Sequence, residues 1–159
     1  MILMTEQEIF DVLKGKFGDK VIDLTENVDP WIRVEAEAIA DVAEFLHDDE
    51  QMKFESLMCL SGVDFPEHMT VVYHLYSTPH AQKVTLKVEV GREDPRVPTV
   101  ENVWHVANWH ERESYDMFGI VFDGHSDPRR ILCPDDWVGF PLRKDYEVQE
   151  YYHGIRVEV

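Results

Sequence analysis

Cysteine is nearly absent from this 159-residue chain: Cys59 and Cys133 are the two it has. An iron–sulfur cluster draws on four Cys ligands and a zinc ribbon on paired C-x-x-C units, so neither is expected from one chain. Two thiols so far apart read as free, buried cysteines of a reducing compartment in preference to a disulfide. Basic residues are also scarce. Fifteen Lys and Arg stand against 32 Asp and Glu, for a formal net charge of −17. Phosphate binding relies on clustered cations, so nucleic acid and bare anionic lipid are poor partners. A salt-adapted source produces the same acidity. No run approaches the ~18 apolar residues of a membrane span. The opening "MILMTEQEIF" lacks the basic region of a signal peptide. No Gly-rich phosphate loop and no G-x-S-x-G occurs. The expectation is a soluble protein that reaches a membrane only through partners.

The first 122 residues carry regular periodicity. Thr5 and Glu8 have capping-box spacing, followed by an apolar stripe at Ile9, Leu13 and Phe17 with Val12 beside it, and Gly18 as a stop. "KVIDL" and "WIRVEA" predict two short strands around a turn at Asn27–Pro30. Ile39, Val42, Ala43 and Leu46 give a second helix. "FESLMCLSGVDF", "TVVYHLYS" and "KVTLKVEV" predict three strands. The last alternates strictly, with Val84, Leu86, Val88 and Val90 on one side, so the sheet is expected to be covered on one face and partly wet on the other. Thr99 is placed to cap a third helix running through Val103, Val106 and Ala107 to Gly119. This order predicts an α+β fold: a two-layer domain with a mixed sheet covered by helices, followed by an extended C-terminal tail. The domain spans 1–122 and the tail 123–159.

The tail has no sustained period, yet it carries Ile131, Leu132, Trp137, Phe140, Leu142, Tyr146, Tyr151 and Tyr152. Disordered tails are poor in such residues. This one is expected to lie on something, either its own domain or, preferred here, another subunit.

"NWHERESYDMFGI", Asn108–Ile120, raises the question of an active site. His110-Glu111 resembles half of a zinc-protease helix and would support a small metal-dependent hydrolase. H-E-x-x-H needs a second His at i+4, however, and none is there. His105 and His110, five apart, sit about 140° from each other on a helix. Glu111 and Glu113 are two apart and diverge, so they make a poor acid/base pair. Arg112 and Asp116 stand at i, i+4 with the cation first, the weaker order for a surface pair. Trp109, Tyr115, Met117 and Phe118 spread around the helix, which suits contact with more than one layer. The segment reads as a contact surface.

Its residues then become specific. Glu111-Arg112-Glu113, Asp116-Met117-Phe118, six residues to His125, and three more to Arg129-Arg130-Ile131-Leu132 resemble the signature of the C subunit of NADH-quinone oxidoreductase, the 30-kDa subunit family of respiratory complex I. The resemblance extends through Trp109 and Gly119, through "PDDWVGFPLRKDYEV" with Trp137, Arg143, Lys144, Asp145 and Tyr146, and upstream to about residue 54. Where the family commonly has Pro directly after the His, this chain reads "HSDPRRIL" with Pro128. It resembles the stand-alone form of the family. The resemblance implies a non-catalytic assembly subunit of the peripheral arm of a proton-translocating enzyme. No catalytic, cofactor or metal residue is implied on this chain. FMN and Fe–S clusters would be carried by partner subunits, and the complex would lie on the cytoplasmic side of the inner membrane. Partners would be the large D subunit, along which the tail spreads, and the B and I subunits. Arg129, Arg130, Arg143 and Lys144 would aim at partner carboxylates or carbonyls. A homologous subunit of an energy-converting hydrogenase or an F420-dependent dehydrogenase is the neighbouring alternative.

Overall fold

The computed structural model describes residues 4–157. Helix α1 (Glu6–Phe17) opens on the expected capping box: the Thr5 side chain accepts from the Glu8 amide, and the Glu8 carboxylate accepts from the Thr5 amide at 2.8 Å. Gly18 closes it with φ +61°. Strands β1 (Val21–Thr25) and β2 (Trp31–Val34) follow as an antiparallel pair, then α2 (Ile39–Asp48). Strands β3 (Ser56–Asp64), β4 (His68–Ser77) and β5 (Gln82–Gly91) form an antiparallel meander. Parallel pairing of β2 with β5 joins the two sets into one mixed sheet of order β1-β2-β5-β4-β3.

Strict alternation sends Ile32, Val34, Leu60, Val71, Tyr73, Leu86 and Val88 into one core with Ile9, Leu13, Val42 and Leu46 of the helices. The opposite face is polar, as the alternation predicted. There Arg33 bridges Asp23 and Glu89, and Lys87 lies 4.2 Å over the Trp31 ring.

Helix α3 (Ala107–Phe118) begins later than expected. Residues 100–106 form tight turns, with Trp104 N–H donating to Val100 at 3.0 Å and Ala107 N–H to Trp104 at 2.9 Å. Thr99 does not cap the helix. Its hydroxyl accepts from the Glu101 amide and meets Glu111, so Val106 precedes α3 without a side-chain cap. A short strand β6 (Arg96–Pro98) pairs in parallel with β7 (Val121–Asp123), which brings the chain back beside the start of the α3 loop.

From His125 onward the chain is irregular up to a terminal hairpin, β8 (Tyr151–Tyr152) and β9 (Ile155–Arg156). Residues 129–146 form a strap that folds back over the end of α3. This is the own-domain alternative to a tail lying wholly on a partner. The turn at Gly119 makes the strap possible. Gly119 is left-handed, with φ +76°, and a Cβ there would sit 2.6 Å from the Phe140 ring. Gly119→Ala is expected to cost about 2 kcal/mol, from the left-handed backbone alone and more once Phe140 is displaced, read as a lower midpoint in urea unfolding.

Candidate functional site

The site is the junction of α3 with the strap, and it is built around two buried carboxyl groups. Asp116 is fully buried. Its Oδ2 accepts three successive backbone N–H groups, from Ile131 at 2.9 Å, Leu132 at 2.6 Å and Cys133 at 2.8 Å. Its Oδ1 accepts from Arg130 at 2.7 Å. Burial pushes this carboxyl up, but the amides and the guanidinium outweigh it and hold it below the ordinary carboxylate range.

The last carbonyls of α3, which no helical turn can reach, are all taken up locally. Gly119 N–H donates to Tyr115, Arg130 to Asp116, Leu142 N–H to Met117 at 3.0 Å, and Arg143 Nε to Phe118 at 2.6 Å. Arg130 and Arg143 then lie over the Phe140 ring, at 5.3 and 5.0 Å. Arg112 is not paired with Asp116. It donates instead to the strap carbonyls of Arg129 at 3.0 Å and Arg130 at 3.1 Å. The signature cations were expected to aim at a partner; Arg130 through both terminal nitrogens and Arg143 through Nε instead donate to acceptors of the chain itself, because α3 has orphan acceptors within reach. Arg129 forms a bidentate pair with Asp127.

The strap is pinned a second time at the sheet. Asp64, buried at the end of β3, pairs with Arg92 and accepts from the Lys144 amide at 2.7 Å, while Arg92 also reaches Asp145 at 3.2 Å. Trp137 donates to the Tyr146 hydroxyl at 3.1 Å, and Tyr152 donates to Asp136 at 2.9 Å, tying the hairpin to the strap.

The other carboxyl, Glu111, is also fully buried. It accepts from the Thr99 hydroxyl at 2.5 Å and the Val100 amide at 2.8 Å. Desolvation raises its pKa to about 7 against those two bonds, and nearby Glu101 adds to the rise. Glu101 itself is held low by Asn108 and Ser126 despite burial. Between the two, His125 takes the Asp127 amide on Nδ1 at 3.0 Å and meets the Asn108 carbonyl through Nε2 at 3.1 Å. Behind them the Tyr73 hydroxyl is buried with no partner among the described residues. A cavity of about 250 Å³ lies alongside, walled by Tyr115, Val121, Phe122 and Pro128. Glu111, weighed from the sequence as half of a metal or acid/base pair and set aside in favour of a contact role, holds the loop before α3. Glu113 and Trp109 are exposed, and His105 lies outside the helix.

Glu101, Asp64 and Arg92 were missed by sequence reasoning, and Thr99 and Phe140 were noticed without their roles. Thr99 meets Glu111 12 positions on, Glu101 meets Ser126 25 on, and Asp64 meets Lys144 80 on, spans which no local period carries. Both cysteines are free and half-buried.

This geometry, a helix whose end is closed by a strap folded back from the tail, defines a small α+β protein. Residues 32–152 match the family model described as respiratory-chain NADH dehydrogenase, 30 Kd subunit, and the chain belongs to that family. It is 53% identical over 152 residues to the C subunit of the NADH-quinone oxidoreductase of Chloroherpeton thalassium, covering 93% of this chain and 63% of that one. It is 49% identical over 153 residues to the corresponding C subunit of Chlorobium phaeobacteroides, covering 93% and 92%. The chain thus spans under two thirds of the first relative and nearly all of the second. Among solved structures, a trypsin-resistant fragment (1-134) of Nqo5 matches with TM-score 0.61 and 34% identity over 74% of this chain and 96% of that one. A chain of the membrane-bound sulfane sulfur reductase, an archaeal respiratory membrane complex, shares the fold with TM-score 0.73 at 23% identity, over 89% and 85%.

Two outcomes follow from the carboxyls. Folding lifts Glu111 from an ordinary 4.5 to about 7, so the folded state binds the extra proton and stability falls as pH rises from 4.5 through 7, by about 3 kcal/mol in all. Glu111→Gln keeps both local bonds, with Nε2 donating to Thr99, and should flatten that decline in urea melts at pH 5 and pH 8. Asp116→Asn turns an acceptor of three amides into a partial donor and leaves Arg130 uncompensated. It should cost about 3–5 kcal/mol at pH 7, and amide exchange at Ile131–Cys133 should speed up accordingly.

Proposed function

We propose that the chain is a non-catalytic assembly subunit of the peripheral arm of an NADH-quinone oxidoreductase, which docks through the outer side of α3 and of the strap. One observation carries the reading. The strap is fixed to the body by its backbone and cations, yet it turns Leu132 (62% exposed), Val138 (67%) and Leu142 (55%) to solvent. Tyr151 and Ile155 of the hairpin and Trp109 of α3 are exposed as well. A segment held this firmly with its large apolar side chains outward is suited to cover a partner, since exposed apolar patches of this kind mark interaction sites. The 30-kDa family membership and the names of the relatives supply the partner class.

The occupant of that surface is taken to be the large D subunit, with the B and I subunits nearby. FMN and Fe–S clusters belong to other subunits, and the complex faces the cytoplasm. No helix among the described residues is long and apolar enough to cross a membrane, so attachment would come through the assembly. The fold shared with the sulfane sulfur reductase chain favours one second reading, the same role in a membrane complex with another electron donor.

Purification of the tagged chain from its native membranes in mild detergent, with mass spectrometry of the co-purified chains, tests this. Flavin- and cluster-bearing NADH-oxidising subunits are expected. A nickel-binding large subunit moves the role to a hydrogenase, and recovery of the chain alone sinks it. In the same assay Leu142→Asp should lower the recovered complex at least tenfold while leaving the melting of the isolated chain unchanged.

A further inference from the structure

The acidity of the chain is concentrated before residue 56, where residues 5–55 hold 15 acidic and 5 basic side chains. Part of it surrounds a groove that α3 and the strap do not contribute to. The groove measures about 510 Å³ and lies between α1 and the turns that follow α2 and β4. Met4 and Val12 give it apolar wall, and Glu8, Asp11 and Glu50 supply carboxylates. Val12 was read from the sequence as part of the apolar stripe of α1, but it sits 60° off Ile9 at helical spacing. Ile9 and Leu13 are fully buried, whereas Val12 is 38% exposed in the groove. The core of the chain does not use it.

The carboxylates are left over in the same way. Glu8 caps α1 by accepting from Thr5, and Asp11 accepts from Gln7 at 2.8 Å. No cation among the described residues pairs with Glu8, Asp11 or Glu50, although the chain forms ion pairs readily elsewhere. The lysines of α1 are engaged away from them, Lys14 on the Val21 carbonyl and Asp19, and Lys16 over the Phe45 ring. Unpaired charges of one sign around a low-dielectric wall focus a negative potential. That potential attracts a cation and repels an acidic surface, so a second copy of this −17 chain is disfavoured.

We propose that this groove receives a basic amphipathic segment of a neighbouring subunit. An apolar side chain would rest on Met4 and Val12, and Lys or Arg side chains would reach Asp11 and Glu50. The apolar stem and cationic tip of Lys and Arg suit a wall of this kind with a carboxylate rim. The inference rests on the chain being built into a complex, but it is independent of where the strap docks. It gives the assembly two unlike contacts, one apolar at the strap and one charge-matched at α1.

The test is carboxylate labelling with a carbodiimide and glycine ethyl ester, read by peptide mass spectrometry on the isolated full chain and on the membrane-purified complex. Asp11 and Glu50 should label readily in the isolated chain and at least fivefold less in the complex. Without the ester, the carbodiimide should join one of them to a lysine of another subunit. The double variant Asp11→Lys/Glu50→Lys should lower recovery of the complex at least tenfold with the isolated chain still melting normally. Glu8 is kept because it caps α1. Co-purification reports assembly and labelling reports the groove, so the two readings fail separately. Equal labelling in a recovered complex overturns the groove while assembly stands. Poor labelling in the isolated chain shows the groove filled by the chain itself, and links between two copies show self-association; either result overturns the proposal. So does normal recovery of the double variant. A chain that co-purifies with nothing overturns both readings.

Discussion

The end of α3 cannot be completed from within the helix. Four carbonyls at its C-terminus lack an intrahelical donor, and Asp116 adds a buried anion beside them. A helix exposed to water would leave these groups to solvent. Here the chain turns sharply at Gly119, whose own amide takes the Tyr115 carbonyl, and returns along the helix, so that amides and guanidinium groups of residues 130–143 satisfy the other three carbonyls and the Asp116 carboxylate. Several of the residues that carried the resemblance in the sequence are members of this exchange. Arg130 and Arg143 supply donors, Asp116 accepts, and Arg112 holds the strap by its carbonyls. A carboxylate surrounded by three amides tolerates no neutral substitute, and this explains why an apparently solvated helix carries so specific a pattern.

The sheet and the first two helices were legible in the sequence because their signals are local. A capping box, a stripe at helical spacing and an alternating strand each lie within one element, and each places most of its buried residues as the period predicts, Val12 of α1 being the exception. The start of α3 was not legible. Thr99 carries the right residue type for a cap, but Glu111, 12 positions on, competes for its hydroxyl. The partners of Arg112 were not legible for a related reason. A spacing of i, i+4 identifies a possible neighbour, while the better partners are backbone carbonyls 17 and 18 residues away. The strap as a whole was recognised as a segment that must lie on something. Its bonds run between side chains and irregular backbone, a code with no period, so the sequence reading preferred a partner and did not see how much of the strap is held by its own body.

The two buried carboxyls of α3 divide their work along its length. Asp116 secures the strap at the C-terminal end and is kept ionised by its donors. Glu111 secures the loop at Thr99–Val100 with only two donors, and burial favours its neutral form up to about pH 7. Glu101 is ionised and holds the first residues beyond β7 through Ser126. The difference between Glu111 and its neighbours is one of partner number. An anion with three or four donors can be desolvated, whereas one with two retains its proton.

Anchoring from both ends leaves the outward side of the strap free of structural duty, and that freedom makes it useful. Backbone groups and cations do the internal holding, so the large apolar side chains of the strap need not enter the core. Charge divides the remaining surface. The segment from 119 on is near balance, with 5 basic and 8 acidic residues, while the rest of the chain carries 10 and 24. An apolar, nearly neutral strap and an acidic helical layer match different neighbours. Juxtaposed like charges penalise the reversed arrangement more than they reward the right one. On the proposed reading such a subunit contributes orientation to an assembly: the strap would supply area, and the acidity elsewhere would exclude the wrong way of docking it.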